Sequence, residues 1–302
     1  MSRPMAALLT VLAQGLGLLA LADANETRPV ECLRTGEGAV VGRLISVEGD
    51  TLTLRRGQAT EALPLEGFRE IVFDGPPVPT IPPPWTVWAG KSGRFMLRRI
   101  EAGDEAETVD LIGYGWKGEG LALGSVRALA ARSLLQGPTD RLEEFRRARD
   151  DPPGGEDLLM LARGDRRHLI ACAVEEMTAA GVTVSVGQAR RTVPWTDLRW
   201  LVLSPAAPQA EDEGHLVELA DGTLIRLRSF ELRDGTLTGE GRTARYSIAA
   251  GRPARIRIRS DAYRYLSDVE PERTSLQPLL DVVWPPRSDR AVTGGPLSLG
   301  GR

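Results

Sequence analysis

Histidine, cysteine and aromatic residues are scarce in this 302-residue chain, and each shortage removes a class of function. There are two histidines, two cysteines and 5% aromatic residues. His168 and His215 stand at the start of apolar stretches, with no acid and nucleophile at triad spacing and no companion ligands at metal spacing. A hydrolytic triad or a zinc centre needs those partners, so both histidines are expected to be structural or surface residues. No catalytic residue, metal or cofactor is assigned. Cys32 and Cys172 lack CxxC spacing and sit in apolar strand contexts, which predicts buried free thiols rather than a disulfide framework.

An excess of either charge is also missing. Lys and Arg number 38 against 41 Asp and Glu, a formal charge of −3. That balance supplies no electrostatic reason to expect nucleic acid as a partner. P-loop, GxSxG and HExxH patterns do not occur. The glycine-rich stretch from Tyr114 to Gly120 leads into a strand block, whereas a phosphate cradle needs a helix N-terminus there; it reads as a hairpin loop.

Long apolar runs are confined to the first two dozen residues. Arg3 precedes a run from Ala6 to Ala22 broken by Thr10, Gln14, Gly15 and Gly17, and Ala22-Asp23-Ala24 fits the A-x-A cleavage pattern. Residues 1–24 are therefore expected to be a signal peptide, and the protein to be exported: periplasmic, cell-surface or secreted. The competing reading is an uncleaved anchor, for which the run is short and carries a glutamine; contact with a membrane is expected only in that case. Removing Arg3 and Asp23 leaves the formal charge at −3.

What the chain does have is an internal repeat. Leu63-Pro64-Leu65-Glu66-Gly67-Phe68-Arg69-Glu70-Ile71-Val72-Phe73 aligns without gaps to Val193-Pro194-Trp195-Thr196-Asp197-Leu198-Arg199-Trp200-Leu201-Val202-Leu203, and Leu121 to Leu129 keeps the same columns around Arg127. A period of roughly 50 to 70 residues describes an array of small modules. The boundaries are residues 30–76, 84–134, 157–205 and 213–260. In the first, the β-branched run from Ala39 to Val47, a turn at Glu48-Gly49-Asp50 and the alternating Thr51 to Arg56 read as short strands. About five such strands must curl to bury one face, which predicts an all-β chain of tandem small barrels whose neighbours pack together. The fourth module departs from the pattern near Ala249 to Pro253, where an insertion is expected to displace its last strand.

Between modules, Pro76 to Pro84 reads as a polyproline II spacer. Residues 135–156 form a helical linker in which Arg141 to Arg149 is the one helix, capped by Thr139 or Asp140, with acids in its first turn and arginines in its last. Pro205 to Gly214 is an acidic connector, and residues 261–302 form an irregular tail.

These strand blocks resemble SH3-like and Sm-like small barrels. The tail segments from Tyr265 to Pro271, from Pro278 to Pro285 and from Ser288 to Arg302 resemble exported planctomycete-type proteins in which such a stretch leads into an NPCBM domain, a carbohydrate-binding β-sandwich. The family pattern continues with a Gly-x-Gly-x-His segment and the body of the sandwich, and the residues here cover the lead-in alone. No carbohydrate-binding residue is carried over.

Candidate contacts come instead from the residues. In Arg255-Ile256-Arg257-Ile258-Arg259, alternation puts three guanidiniums on one strand face and two isoleucines inward, with Arg226 and Arg228 as additions from another strand. Such a stripe suits an acidic polysaccharide; an ordinary solvated face is the plainer reading. Among the tryptophans, Trp195 falls in the column of Leu65 and Leu123 and is expected in the core. Trp200, aligned with Glu70 and Ala128, is expected to be exposed, and with Trp88 and Trp284 forms a candidate sugar platform. Glu175-Glu176 and the other paired acids read as solvated, because neighbours on a strand face opposite ways. The function these features predict is a non-catalytic exported interaction or scaffold protein, the accessory stalk of a carbohydrate-binding envelope protein, with a polysaccharide or an envelope protein as partner. The alternatives are a polysaccharide-acting enzyme with convergent carboxylates and an Sm-like nucleic-acid-binding oligomer, which export and charge balance oppose.

Overall fold

The computed structural model describes residues 28–259, apart from 36–37, 77, 91–92, 152–154, 164–165, 205–213 and 243. The candidate signal peptide, and the tail with Trp284, lie outside the described residues. The protein is all-β, as its alternation predicts. Its strands fall into four successive modules. The first holds β1 (Pro29–Arg34), β2 (Ala39–Glu48), β3 (Thr51–Arg56), β4 (Ala59–Pro64) and β5 (Phe68–Phe73). The second holds β6 (Trp85–Ala89), β7 (Gly93–Leu97), β8 (Arg99–Ala102), β9 (Thr108–Ile112), β10 (Trp116–Ala122) and β11 (Val126–Ala131). Two helices follow, α1 (Arg132–Leu135) and α2 (Thr139–Asp150). The third module has β12 (Asp157–Arg163), β13 (Arg166–Thr178), β14 (Gly181–Val186), β15 (Ala189–Pro194) and β16 (Leu198–Val202). The fourth has β17 (His215–Leu219), β18 (Leu224–Leu227), β19 (Ser229–Arg233), β20 (Thr236–Glu240), β21 (Arg245–Ala249) and β22 (Pro253–Arg257).

Every module bends its second strand. β2 carries a bulge between Leu44 and Ser46 and β13 one between Val174 and Glu176. In the other two modules the strand is broken outright, at Arg98 and at Arg228. The first half pairs with the first strand and the second half with the third, so one bent strand belongs to two sheets and curls the module around its core. The last strand then pairs with the first: β1 with β5, β6 with β11, β12 with β16, and β17 with β22. A 3-10 turn, Leu65–Gly67 or Leu123–Ser125, precedes it in the first two modules. The Leu65 and Leu123 amides, at the joint between fourth and fifth strands, donate to the carbonyls of Asp50 and Glu107 in the turn before the third strand, each at 2.8 Å.

The modules are fused by strand pairing. β5 pairs with β22 and β11 with β16, joining first to fourth and second to third. β7–β18 and β10–β21 join second to fourth. The resulting ladder runs β2-β1-β5-β22-β17-β18-β7-β6-β11-β16-β12-β13, and a second runs β19-β20-β21-β10-β9-β8. Both orders read the same from either end in terms of module position. The repeat is therefore a two-module unit used twice, the second copy displaced by the 130 residues that separate Leu63 from Val193. The same displacement carries the Leu44 bulge to Val174, and the Gly57 turn at φ 62° to the Gly187 turn at φ 60°. Arg94 pairs with Leu224, its own counterpart, as a pseudo-twofold axis at that point requires.

Of the neighbours expected to pack together, second and third are joined by the β11–β16 ladder, whereas among the described residues no ladder joins first to second or third to fourth. The fourth module's last strand is not displaced, because β22 keeps the pairing with β17 that every fifth strand makes with its first strand. The central residues of all four fifth strands, Ile71, Leu129, Leu201 and Ile256, are at most 1% exposed, and one continuous core runs through the modules. The helix cap is also corrected. Pro138 occupies the N-cap without a side-chain bond, and Thr139 and Asp140 lie inside α2, with Asp140 still in the first turn and Arg147 and Arg149 in the last. No helix among the described residues is long and apolar enough to cross a membrane.

Candidate functional site

The arginine stripe lies on the outer face of the long ladder, where β22 runs between β5 and β17. Alternation holds as predicted: Ile256 and Ile258 are each 1% exposed, while Arg255 and Arg257 point outward. In register, Arg255 faces Val72 and Arg257 faces Glu70. The Nε atoms of Arg255 and Arg257 approach one Glu70 oxygen at 3.3 and 3.7 Å, and that carboxylate is only 13% exposed. Glu70 comes from the first module, so its place between two arginines of the fourth was invisible without the β5–β22 ladder. Arg226 lies two strands away, across Leu216, on the same face. Arg228 is exposed at the strand break and Arg259 is exposed beyond β22. Two guanidiniums thus flank one largely sheltered carboxylate, and Glu218 faces Arg255 from β17.

The pseudo-twofold axis relates this face to another with different chemistry. Ala128, Ala130, Trp200, Val202 and Trp88 hold the positions of Arg255, Arg257, Glu70, Val72 and Glu218. There α1 and α2 cover the sheet. Phe145 is 1% exposed, with its ring centre 5.9 Å from Trp200 and 5.4 Å from Trp88, and the Arg149 guanidinium sits 5.4 Å from the Trp88 ring centre. Leu134 and Met160 complete the cluster. Trp200 is 1% exposed, which overturns its expected exposure. Its column is the outer face of the sheet, polar where that face meets water and aromatic where a helix lies on it. Trp88, half-buried beneath Phe145 and Arg149, is packing rather than a platform for sugars. Trp195, expected in the core, is half-buried against it, edge-on to Trp85 at 5.3 Å, with its Nε1 donating to the Thr178 carbonyl at 2.9 Å.

Glu175 and Glu176 are exposed, as expected, but the period-two reason for it does not hold. Glu175 and Glu176 lie in β13 at its bulge, where the period-two rule fails because one residue is extra. They line a cleft together with Asp104, Glu105 and Glu107 from the β8–β9 loop of the second module. Glu175 is paired with Arg190 at 2.6 Å. Asp157 is a structural carboxylate the sequence did not flag: its two oxygens accept from the Val174 amide at 2.7 Å and the Ser204 amide at 2.8 Å, tying β12 to both flanking segments.

His168 is exposed on β13, and His215 stands edge-on to Phe230 at 5.1 Å, in another module. Both cysteines are buried and unbonded; burial raises the Cys32 thiol to about 12 and that of Cys172 to about 11, with nearby carboxylates adding to each. No group of three or more His, Cys, Asp or Glu residues suited to a metal ion occurs among the described residues. No family model, curated protein or solved structure matches the chain.

Proposed function

We propose that the protein is a non-catalytic, exported scaffold that presents contact surfaces at the cell envelope, as the accessory stalk of a carbohydrate-binding protein. One observation carries this reading: strand pairing fuses the four modules, so that two outer faces with opposite chemistry are held at fixed positions. One face is occupied by the chain's own helices. The other offers Arg255 and Arg257 around Glu70, on a rigid strand, to a polymer bearing carboxylates. Residues two apart on a strand have their backbones about 6.8 Å apart, which lets two arginines follow successive charges on an acidic polysaccharide. Affinity electrophoresis in polygalacturonate tests this. The protein is retarded, less so as salt rises; Arg255→Ala with Arg257→Ala abolishes the retardation, Glu70→Gln increases it, and no reducing ends are released. Retardation indifferent to both arginines would sink the reading.

The acidic cleft favours a second reading, an enzyme acting on polysaccharide, because it draws carboxylates from two modules into one place. Release of reducing ends that is lost in Glu107→Gln or Glu175→Gln would establish it in place of the first.

A further inference from the structure

Beyond its bulge β2 pairs with β3, and β3 with β4, while its Val47 faces Leu232 of β19, so this end extends the second ladder; in the same way β13 leads through β14 to β15. β4 and β15 are terminal strands, and among the described residues neither has a partner on its outer side. Both are fourth strands, and they are counterparts under the pseudo-twofold axis. The other two fourth strands, β10 and β21, do have partners: each other, in antiparallel register, with Glu119 directly opposite Arg245. The molecule thus contains a worked example of how two such edges join, and carries the same kind of edge unused at each end.

We infer that β4 of one copy pairs with β15 of a second copy, as β10 pairs with β21 within the chain, so that the protein assembles head to tail. The β10–β21 ladder fixes the register. Tyr246, four residues before Ala250, whose amide bonds the Gly235 carbonyl as Leu65 bonds Asp50, faces Gly118, which stands at the same place in its module once the extra residue of β10 between Gly118 and Leu121 is allowed for. Four residues before Leu65 stands Glu61, and four before the aligned Trp195 stands Arg191. Transferred to β4 and β15, this register sets Glu61 opposite Arg191, Leu63 opposite Ala189 and Ala59 opposite Val193.

The charges choose between partners. β4 against β4 puts Glu61 opposite Glu61, and β15 against β15 puts Arg191 opposite Arg191; like charges directly across a ladder destabilise it. Only the mixed pair is complementary. Charges on an edge strand ordinarily blunt it against pairing, yet Lys117, Glu119 and Arg245 do not prevent the β10–β21 ladder. Leu63 and Val193, only partly buried against the core, gain cover from the same contact. Glu61 now bonds Arg56 of its own hairpin at 3.3 Å, with both side chains about half exposed, a pair cheap to rearrange. Because the two edges differ and lie at opposite ends, each contact leaves one edge of each kind open, and the assembly does not close at a dimer. This inference stands whether the chain is a scaffold or an enzyme.

Sedimentation velocity of the protein over a wide concentration range tests it, beside Glu61→Arg, Arg191→Glu, the double variant, and an equimolar mixture of the two single variants. The wild type grows past dimer as concentration rises. Each single variant associates roughly tenfold more weakly, whereas the double variant and the mixture recover. Recovery in the mixture cannot come from misfolded chains, and far-UV circular dichroism checks each variant alone. A monomer at every concentration, growth that ends at a dimer, association unaffected by either substitution, or losses that the mixture does not repair would each overturn the inference.

Discussion

Gly118 and Tyr246 face each other where the second and fourth modules meet, the glycine leaving the space that the tyrosine ring fills. They pair across β10 and β21, and a Cβ on Gly118 would lie 2.8 Å from Cε1 of Tyr246. Tyr246 is 7% exposed and stacks on Phe95 at 6.1 Å, so the ring has little room to retreat. Gly118→Val is expected to destabilise the protein by about 1–3 kcal/mol through overpacking. Combined with Tyr246→Ala it costs less than the sum of the two, because the second change removes the clash. Urea denaturation of the double-mutant cycle measures this; additive losses would place the strain elsewhere.

Phe145 fastens α2 to the sheet between Trp88 and Trp200. Phe145→Ala is expected to cost about 3–5 kcal/mol and to shift tryptophan emission to the red as water reaches the two indoles. Unchanged emission would mean that the helix stays seated without its anchor.

Asp157 satisfies two backbone amides on separate segments. Asp157→Ala leaves both without their acceptor and is expected to cost about 1–3 kcal/mol. Asp157→Asn, which keeps one acceptor oxygen, loses less. Equal losses would show that the carboxylate contributes only through its charge.

The buried thiols give stability a pH dependence with a definite sign. Folding raises Cys32 from 9.0 to about 12 and Cys172 from 9.0 to about 11. Above the unfolded value the unfolded chain loses protons that the folded chain keeps, so stability is unaffected by these groups below pH 9 and falls as pH rises from 9 towards 12. Cys32→Ala with Cys172→Ala flattens that fall. At pH 8 the native protein is expected to react slowly with a thiol reagent and the urea-unfolded protein at once; rapid native reaction would contradict the burial.

Local pattern made much of this fold legible. The alternation of Thr51 to Arg56 and of Arg255 to Arg259 gave the strands and their buried faces, and the gapless match of Leu63 to Phe73 with Val193 to Leu203 gave the repeat. Relationships between modules were not legible, because they are set by ladders between strands far apart in sequence. Glu70 reads as an ordinary surface acid until β5 lies beside β22. Trp200 reads as exposed from its column until α2 covers that face. The bulge that turns Glu175 and Glu176 towards the β8–β9 loop breaks the very periodicity from which side-chain direction was inferred. One signal of the two-module unit does lie in the sequence: Leu97-Arg98-Arg99-Ile100-Glu101 matches Leu227-Arg228-Ser229-Phe230-Glu231 at the same displacement as Leu63 and Val193.

Ladders that cross the pseudo-twofold axis fuse the four modules, so they are expected to unfold as one piece. Urea unfolding followed in parallel by tryptophan emission, which reports the helix-covered face, and by far-UV circular dichroism, which reports every module, tests it most directly. One transition with coincident midpoints and slopes is expected. Separate transitions, with one module pair melting while the other persists, would contradict it and leave a string of independent modules in place of a scaffold.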